Sequence, residues 1–444
     1  MSIPGLILAA PASGSGKTLT TLGILRALAK RGLRVASAKV GPDYIDPAFH
    51  AAATARPCLN LDTWAMREAT IAGLIGDLSR DADIIVAEGV MGLFDGAMVP
   101  PGTERDGSTA ALARLTGWPV VLVVNVKGQA ASAAAVVRGF AAHDPRVAIA
   151  GVIFNNVGMG RHLDILCESA AAAVPGVRIL GGIPRTQGLG VPERHLGLVQ
   201  AHEHPDLPGF LDSAAGLIAE RLDLDALATL ARPAALPDAP QPQPVPPLGQ
   251  RIAVARDVAF AFCYPALLAG WRAAGAEISF FSPLANEAPD AACDAVYLPG
   301  GYPELHAGLL AGNAAFLSGV RDAAAKGAAV FGECGGYMTL GEVLTDADGA
   351  DHAMLGLLPL STSFAKRRLH MGYRIATQMG DAPFGPAGTA FRAHEFHYAA
   401  ITAEGPAEPL FAVRDAAGED RGAAGLRRGK VCGSFMHLID RESP

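Results

Sequence analysis

The chain of 444 residues predicts an α/β fold in two domains, each a mainly parallel sheet flanked by helices. Three observations carry that prediction. Short apolar runs alternate with Ala/Leu-rich segments of helical pattern in both halves, the succession that builds a parallel sheet covered by helices. A proline-rich stretch, Arg232 to Gln250, separates about 231 residues from about 194, each enough for its own core. The total length exceeds what a single hydrophobic core ordinarily holds.

In the first part, GLILAAP, LRVASAKV, ADIIVAEG, PVVLVVNV, VAIAGVIFNN and ILGGIP read as buried strands. TLTTLGILRALAKRG, AALARL and LDILCESAAAAV supply helices between them. The connector RPAALPDAPQPQPVPPLGQ contains seven prolines, which remove backbone donors and fix φ, so an extended, fairly stiff segment is expected over residues 232–250. In the second part, residues 251–444, the strands are RIAVARD, AEISFFS, DAVYLPGG and AAVFGEC, and the helices LLAGWRAAG and NAAFLSGVRDAAAKG. The tail carries FRAHEFHYAAI, read as a sheet edge, and GKVCGSFMHLID, read as one strand running into a loop.

Half of the residues are hydrophobic and 18% are charged, which argues against extended disorder. A net charge of -7 offers no general attraction to nucleic acid or to an anionic membrane, so neither is expected as a partner. Six scattered cysteines without a CxxC pair read as free thiols in a reducing compartment. The N-terminus has no basic leader, and its apolar stretch is broken by Gly and Ser before it reaches membrane length. A cytoplasmic protein is the expectation.

The first strand runs into ASGSGKT, a small-residue loop ahead of a helix. It departs from GxxxxGKT because Pro11 or Ala12 stands where the first Gly is sought. The physical requirements survive: Gly14 and Gly16 let amides beside Ser13 and Ser15 turn toward phosphate, Lys17 offers a cation, and Thr18 can reach a magnesium ion at a helix N-terminus. Acids follow two later strands. KVGPDYIDPAFH supplies Lys39, Asp43 and Asp46, and AEGVMGLFDG supplies Glu88 and Asp95. Hard oxygens near a phosphate loop suit magnesium, Glu88 and Asp46 foremost, although Asp43 and Asp46 could equally cap a turn. Asn125 with Lys127, and Asn155 with Asn156, follow buried-looking strands, where an amide could meet nucleotide or substrate, although turn formation explains them nearly as well; Arg185, Arg194 and His195 could contact phosphate or an acidic substrate, but surface residues are the commoner explanation.

In the second part, AAVFGECGGYM reads as strand, bend and helix, with Gly332, Gly335 and Gly336 clearing space around Cys334. A thiol held at such a bend suits attack on an acyl carbon, with the Gly335 amide facing the developing oxyanion. LPGGYPE offers a second donor at Gly300 or Gly301, and Glu304 as a cap. His437 in GSFMHLID is the base, with His394 and His397 of FRAHEFHYA as competitors. HEFH lacks the HExxH spacing of a zinc protease.

The ordered set ASGSGKT, KVGPDYIDPAFH, EGVMGLFDG, NNVG, GGIPR, LPGGYPE, GECGGYM, HEFHY and GSFMHL resembles the cobyrinic or hydrogenobyrinic acid a,c-diamide synthases of cobalamin biosynthesis, end to end. The resemblance implies a P-loop NTPase-like amidoligase domain of the dethiobiotin-synthetase kind, followed by a class I glutamine amidotransferase-like domain. It implies ATP and Mg2+ as cofactors, L-glutamine and a corrin acid as substrates, and leaves room for a homodimer. Cys334 would be the nucleophile, His437 its activator, and Gly301 and Gly335 the oxyanion hole. Ser13 to Thr18, Asn156 and Arg185 would serve the nucleotide. Thr18, Asp46 and Glu88 would serve the metal, and Lys39, Asp43 and Asp95 the substrate or nucleotide. The family's usual triad acid, two residues after the His, is replaced by Ile439; Glu395 is one acid that could orient His437 instead. Asn125 stands where an Asp is expected, which weakens any metal role for that strand end. Related corrinoid amidotransferases acting on other side chains, a ParA-like ATPase and a lone thiol hydrolase remain as alternatives.

Overall fold

A computed structural model describes residues 3–186, 193–194, 197–198, 200–240 and 242–442. Its contacts divide the chain into two units: Met1–Trp64, Ile71–Gly96 and Thr103–Pro240 in one, and Ala65–Thr70, Ala97–Gly102 and Gln241–Pro444 in the other.

In the first unit, strands β1 (Pro4–Ala9), β2 (Val35–Val40), β3 (Cys58–Leu61), β4 (Ile84–Glu88), β5 (Val120–Asn125), β6 (Ile149–Val157) and β7 (Arg178–Pro184) form a sheet ordered β3-β2-β4-β1-β5-β6-β7. Every pairing along that path is parallel. Helices α1 (Lys17–Lys30), α2 (Ile45–Thr54), α3 (Glu68–Ser79), α4 (Thr109–Thr116), α5 (Ser132–His143), α6 (His162–Ala173), α7 (Leu207–Arg221) and α8 (Leu224–Leu230) accompany it. The strands are near-continuous apolar runs because both faces are covered: Leu6, Ile7, Leu8, Val121, Leu122 and Val123 are fully buried. Leu22, Leu25 and Leu28 of α1 join Leu211 and Ile218 of α7 in one core over β1. β1 is central, so the loop after it opens among the carboxyl ends of its neighbours, where ligands of such sheets bind.

β3 was not read from the sequence, because CLNL is four residues long with Asn60 in its centre. Asn60 is tolerated there because its amide donates to the carbonyls of Gly41 and Asp43. In the proline-rich stretch, Arg232 and Pro233 pair antiparallel with Gly5 and Pro4.

The second unit contains a ten-stranded sheet. Glu277–Phe281, Arg251–Ala255, Ala295–Leu298, Ala329–Glu333 and Val431–Ser434 are adjacent in that order and parallel. The sheet then continues antiparallel through Asp420–Arg428, Glu408–Asp415, His370–Gln378, Ala390–His397 and Met436–Arg441. FRAHEFHY is therefore interior, between two strands, and the edge is Met436–Arg441; GKVCGSFMHLID is two strands, not one. Val431–Ser434 and Met436–Arg441 stand five places apart in the sheet yet are joined by Phe435 alone, so the antiparallel half must curl back on itself. That closure returns the last strand to the end of Ala329–Glu333. Asp440 on this strand is fully buried and accepts from the Arg67 guanidinium, at 2.8 Å, and from the Thr70 hydroxyl, at 2.6 Å, both in the Ala65–Thr70 segment of the same unit.

Candidate active sites

The first site lies in the loop between β1 and α1. Gly14 and Gly16 have φ of 73° and 85°, the left-handed region that suits glycine, and turn the chain into the N-terminus of α1. Gly16 is required for a second reason: a Cβ there would overlap the Asn155 side chain. Asn155, near the end of β6, donates to the Ser15 carbonyl at 2.8 Å and fixes the loop. Ser15 closes it from inside by donating to the Ala12 carbonyl at 2.7 Å. Lys17 reaches the Met91 carbonyl at 3.4 Å, and burial holds its ammonium below the usual range against the pull of Glu88.

Around Lys17 the sheet ends collect a buried ionic cluster. Glu88, the last residue of β4, is fully buried and accepts from the Thr18 hydroxyl at 2.8 Å and from Lys39 at 3.0 Å. Its other oxygen meets His50 Nε2 at 2.7 Å. Lys39 also pairs with Asp46. Burial opposes every charge here, yet Glu88 is held well below the carboxylate range by Lys39, His50 and Lys17, and Lys39 is raised by Glu88 and Asp46. Asp46 competes for the same lysine beside an ionised Glu88, and burial pushes it up to about 7.

His50 was missed in the sequence. Its signal was the spacing Asp46-x-x-x-His50, which puts both side chains on one face of α2, and both are buried there. His50 Nδ1 lies 3.5 Å from the Cys58 sulfur of β3, so a chain runs Cys58, His50, Glu88, Thr18.

Other residues fall less centrally. Asp43 accepts from the Ile45 amide at 2.9 Å and starts α2, and stands 4.0 Å from Lys39. Asp95 is exposed and accepts from the Gly92 amide, closing a turn. Asn156, with φ of 64°, donates to the Asn125 side chain at 3.1 Å; Asn125 also accepts from the Lys127 amide. Ser13 and Arg185 are exposed, the latter just past β7. His195 lies outside the described residues, as does the side chain of Arg194.

The second site is built on the strand Ala329–Glu333. Cys334 follows it with φ 51° and ψ -103°, a strained conformation for a residue with a Cβ, and caps the short helix Gly335–Leu340. The bend is held on both sides, since the Cys334 amide donates to the Ser434 carbonyl at 2.8 Å and the Gly336 amide to the Pro299 carbonyl at 3.1 Å. The thiol is 3.6 Å from the Phe396 carbonyl and hydrogen-bonds to His437. Close approach decides Gly300: a Cβ there would stand 2.6 Å from His437 Cε1 and 3.4 Å from Cys334 Cβ. The Gly301 nitrogen lies near Gly335, and among the described residues neither amide donates to a backbone carbonyl. The two donors suit an oxyanion beside the thiol.

His437 is buried, and its Nδ1 is 3.2 Å from Glu333. Burial disfavours its charge, but Cys334 and Glu333 outweigh that and hold the imidazole up to about 10. Glu395 does not orient this histidine. It is held by Arg374 and by His397, the latter at 3.1 Å. His397 in turn stacks on Phe435, and His394, opposite His437 in register, is pushed down to about 3 by burial and by His437. Neither competing histidine pairs with the thiol among the described residues. Glu304 is buried with Oε2 unpartnered among the described residues.

Residues 251–444 match the CobB/CobQ-like glutamine amidotransferase domain, and residues 6–199 the CobQ/CobB/MinD/ParA nucleotide binding domain. Hydrogenobyrinate a,c-diamide synthase of a Sinorhizobium species is 55% identical over 437 residues, 98% of each chain. The chain belongs to the hydrogenobyrinate a,c-diamide synthase family. Other members match at similar levels: the synthase of Brucella suis is 55% identical over 98% of each chain, and that of Mesorhizobium japonicum 52% over the whole of both. As in the rest of this family, the chain joins a nucleotide-binding domain to a glutamine amidotransferase domain and is an ATP-dependent ligase with glutamine as its amide donor.

Proposed function

We propose that this enzyme amidates the a and c acetate carboxylates of hydrogenobyrinic or cobyrinic acid, with Cys334 and His437 releasing ammonia from glutamine and the β1–α1 loop binding ATP. The observation that carries the reading is the thiol at the 330s bend, hydrogen-bonded to an imidazole that is itself held by a carboxylate, in a chain that also keeps Gly14, Gly16, Lys17 and Thr18 at a strand-to-helix turn.

A carboxylate does not react with ammonia because oxide is a poor leaving group; phosphorylation by ATP gives an acyl phosphate whose phosphate departs readily. The amides around Gly14 and Gly16, the positive end of α1 and Lys17 bind the phosphates. Asp46 Oδ1 is a buried carboxylate oxygen without a hydrogen-bond partner among the described residues, in a cluster with Glu88 and the Thr18 hydroxyl. Such hard oxygens fit magnesium, so Thr18, Asp46 and Glu88 would hold it. The ion would neutralise charge on the transferring phosphoryl group. Lys39 keeps the two carboxylates together without strong repulsion.

In the glutaminase half, the Cys334 thiolate attacks the side-chain carbonyl carbon of glutamine. Gly301 and Gly335 amides hold the oxyanion, and His437 gives its proton to the departing ammonia. The thioester is then hydrolysed to glutamate, and ammonia displaces phosphate from the activated carboxylate. Lys39, Asp43, Asp95, Asn156 and Arg185 remain assigned to substrate or nucleotide.

Mass analysis of products with ATP, magnesium, glutamine and each corrin acid tests the reading. Two added amides are expected, with C334A losing the reaction with glutamine and regaining it with ammonium salts. A single amidation, amidation of other side chains, or full glutamine-driven activity in C334A would refute it.

A further inference from the structure

The acid that usually orients the histidine of a Cys-His-acid site is absent two residues downstream, where Ile439 stands. The strand that delivers the nucleophile carries a carboxylate in its last position. Glu333 is 2% exposed, and among the described residues its carboxylate hydrogen-bonds to His437 Nδ1 at 3.2 Å, the Leu438 amide at 3.0 Å and the Tyr297 hydroxyl at 3.0 Å. A carboxylate in a dry interior needs such donors, or its desolvation would drive it neutral. Leu438 and Tyr297 supply two that do not depend on the charge of the imidazole. Tyr297 is itself fixed, stacked on Phe331 with centroids 5.9 Å apart and edge-on to Trp271.

We propose that Glu333 is the positioning acid of the glutaminase site, accepting from Nδ1–H of His437 so that Nε2 faces the Cys334 thiol. This rests on the assignment of Cys334 and His437 made above. The geometry explains how one strand can supply both nucleophile and acid. Consecutive strand residues point to opposite faces, but the positive φ of Cys334 breaks that alternation, and the curled-back last strand inserts His437 where both side chains reach it. Because Glu333 also binds the amide of the residue after His437, it fixes backbone and ring together. Glu333 acts through the imidazole, as a positioning residue.

Among the described residues, the charged and titratable groups facing His437 include Glu333 at the end of its strand, Cys334 just after it, His394 from the neighbouring strand, and Tyr297 through Glu333. Of these only Glu333 is a carboxylate in contact, so removing its charge should let imidazolium lose its proton at lower pH.

The test compares wild type, E333Q, E333D and C334A, measured with glutamine and with ammonium salts. For E333Q the expected result is a fall of about 10²–10⁴-fold in glutamine-dependent kcat, the range seen when a base loses its orienting acid, with ammonia-driven amidation kept. The alkaline limb of the glutaminase pH profile should move to lower pH, and E333D should recover part of the rate and of the limb. An E333Q protein that folds, keeps the wild-type profile and loses activity only in proportion to its melting temperature would overturn the proposal. Should E333Q not fold, nitrogen-15 spectra of the wild type decide. A protonated Nδ1 at neutral pH is expected, and a neutral ring protonated only at Nε2 would overturn it. C334A separates the two ideas: if it still uses glutamine, the cysteine assignment fails, whereas loss in C334A with an unchanged E333Q rate and profile removes Glu333 alone.

Discussion

Replacing Gly300 by Ala tests how tightly the glutaminase geometry is set. The added methyl would lie 2.6 Å from His437 Cε1, against the 3.4 Å at which ordinary contact begins, so ring and backbone must separate by about 0.8 Å. Neither yields easily. Gly300 is fixed by its carbonyl, which accepts from the Phe262 amide at 2.9 Å, and retreat the other way is limited by Phe262 Cβ at 3.3 Å and Cys334 Cβ at 3.4 Å from the same methyl. His437 is held by Glu333. A misplacement of about 1 Å in a catalytic group can cost about 10²-fold, so G300A should lose about 10²-fold in kcat for glutamate release. The overpacking should cost about 1–3 kcal/mol in stability. The assay is glutamate production from glutamine set beside ammonia-driven amidation, with thermal melting as a control. Ammonia-driven turnover should persist because the methyl's nearest neighbours, His437, Phe262 and Cys334, all belong to the second unit. G300A with wild-type glutamate release, or with both activities lost equally in a protein that melts normally, would refute the reasoning.

Gly16→Ala should abolish ATP binding while leaving ammonia release from glutamine measurable, because φ of 85° and the Asn155 side chain both exclude a Cβ; nucleotide titration by calorimetry reads the first and glutamate release the second. Glu304→Gln should flatten the pH dependence of stability. Burial pushes the Glu304 carboxyl up to about 8, so its favourable protonation is fully present below the unfolded value of 4.5 and is lost as pH rises through 8. The variant should therefore melt at higher temperature than wild type above pH 8 and about equally at pH 4.5; identical curves across that range would count against a neutral, buried Glu304.

Much of this protein is legible in its sequence because the cues are local. Apolar runs such as LILAA and VVLVV specify buried parallel strands, since both faces of the first sheet are covered. GSGKT at a strand-to-helix turn and GECGG at another mark the proposed phosphate loop and the bend at Cys334, because positive φ and close backbone approach demand particular residue types. Of Thr18, Asp46 and Glu88, Thr18 hydrogen-bonds Glu88, and Asp46 joins them through Lys39. What the sequence left open depended on distant pairing. Glu395 lies two residues from one competing histidine and one from the other, which made it a plausible partner for His437, but the register of its strand delivers it to Arg374 and His397. Glu333 precedes the nucleophile by one residue and is separated from His437 by 104 positions. No periodicity connects them. Their meeting is decided by a sheet that curls until its last strand returns to the nucleophile's own, and by the low dielectric there, which leaves a carboxylate no stable place except among the donors that closure supplies.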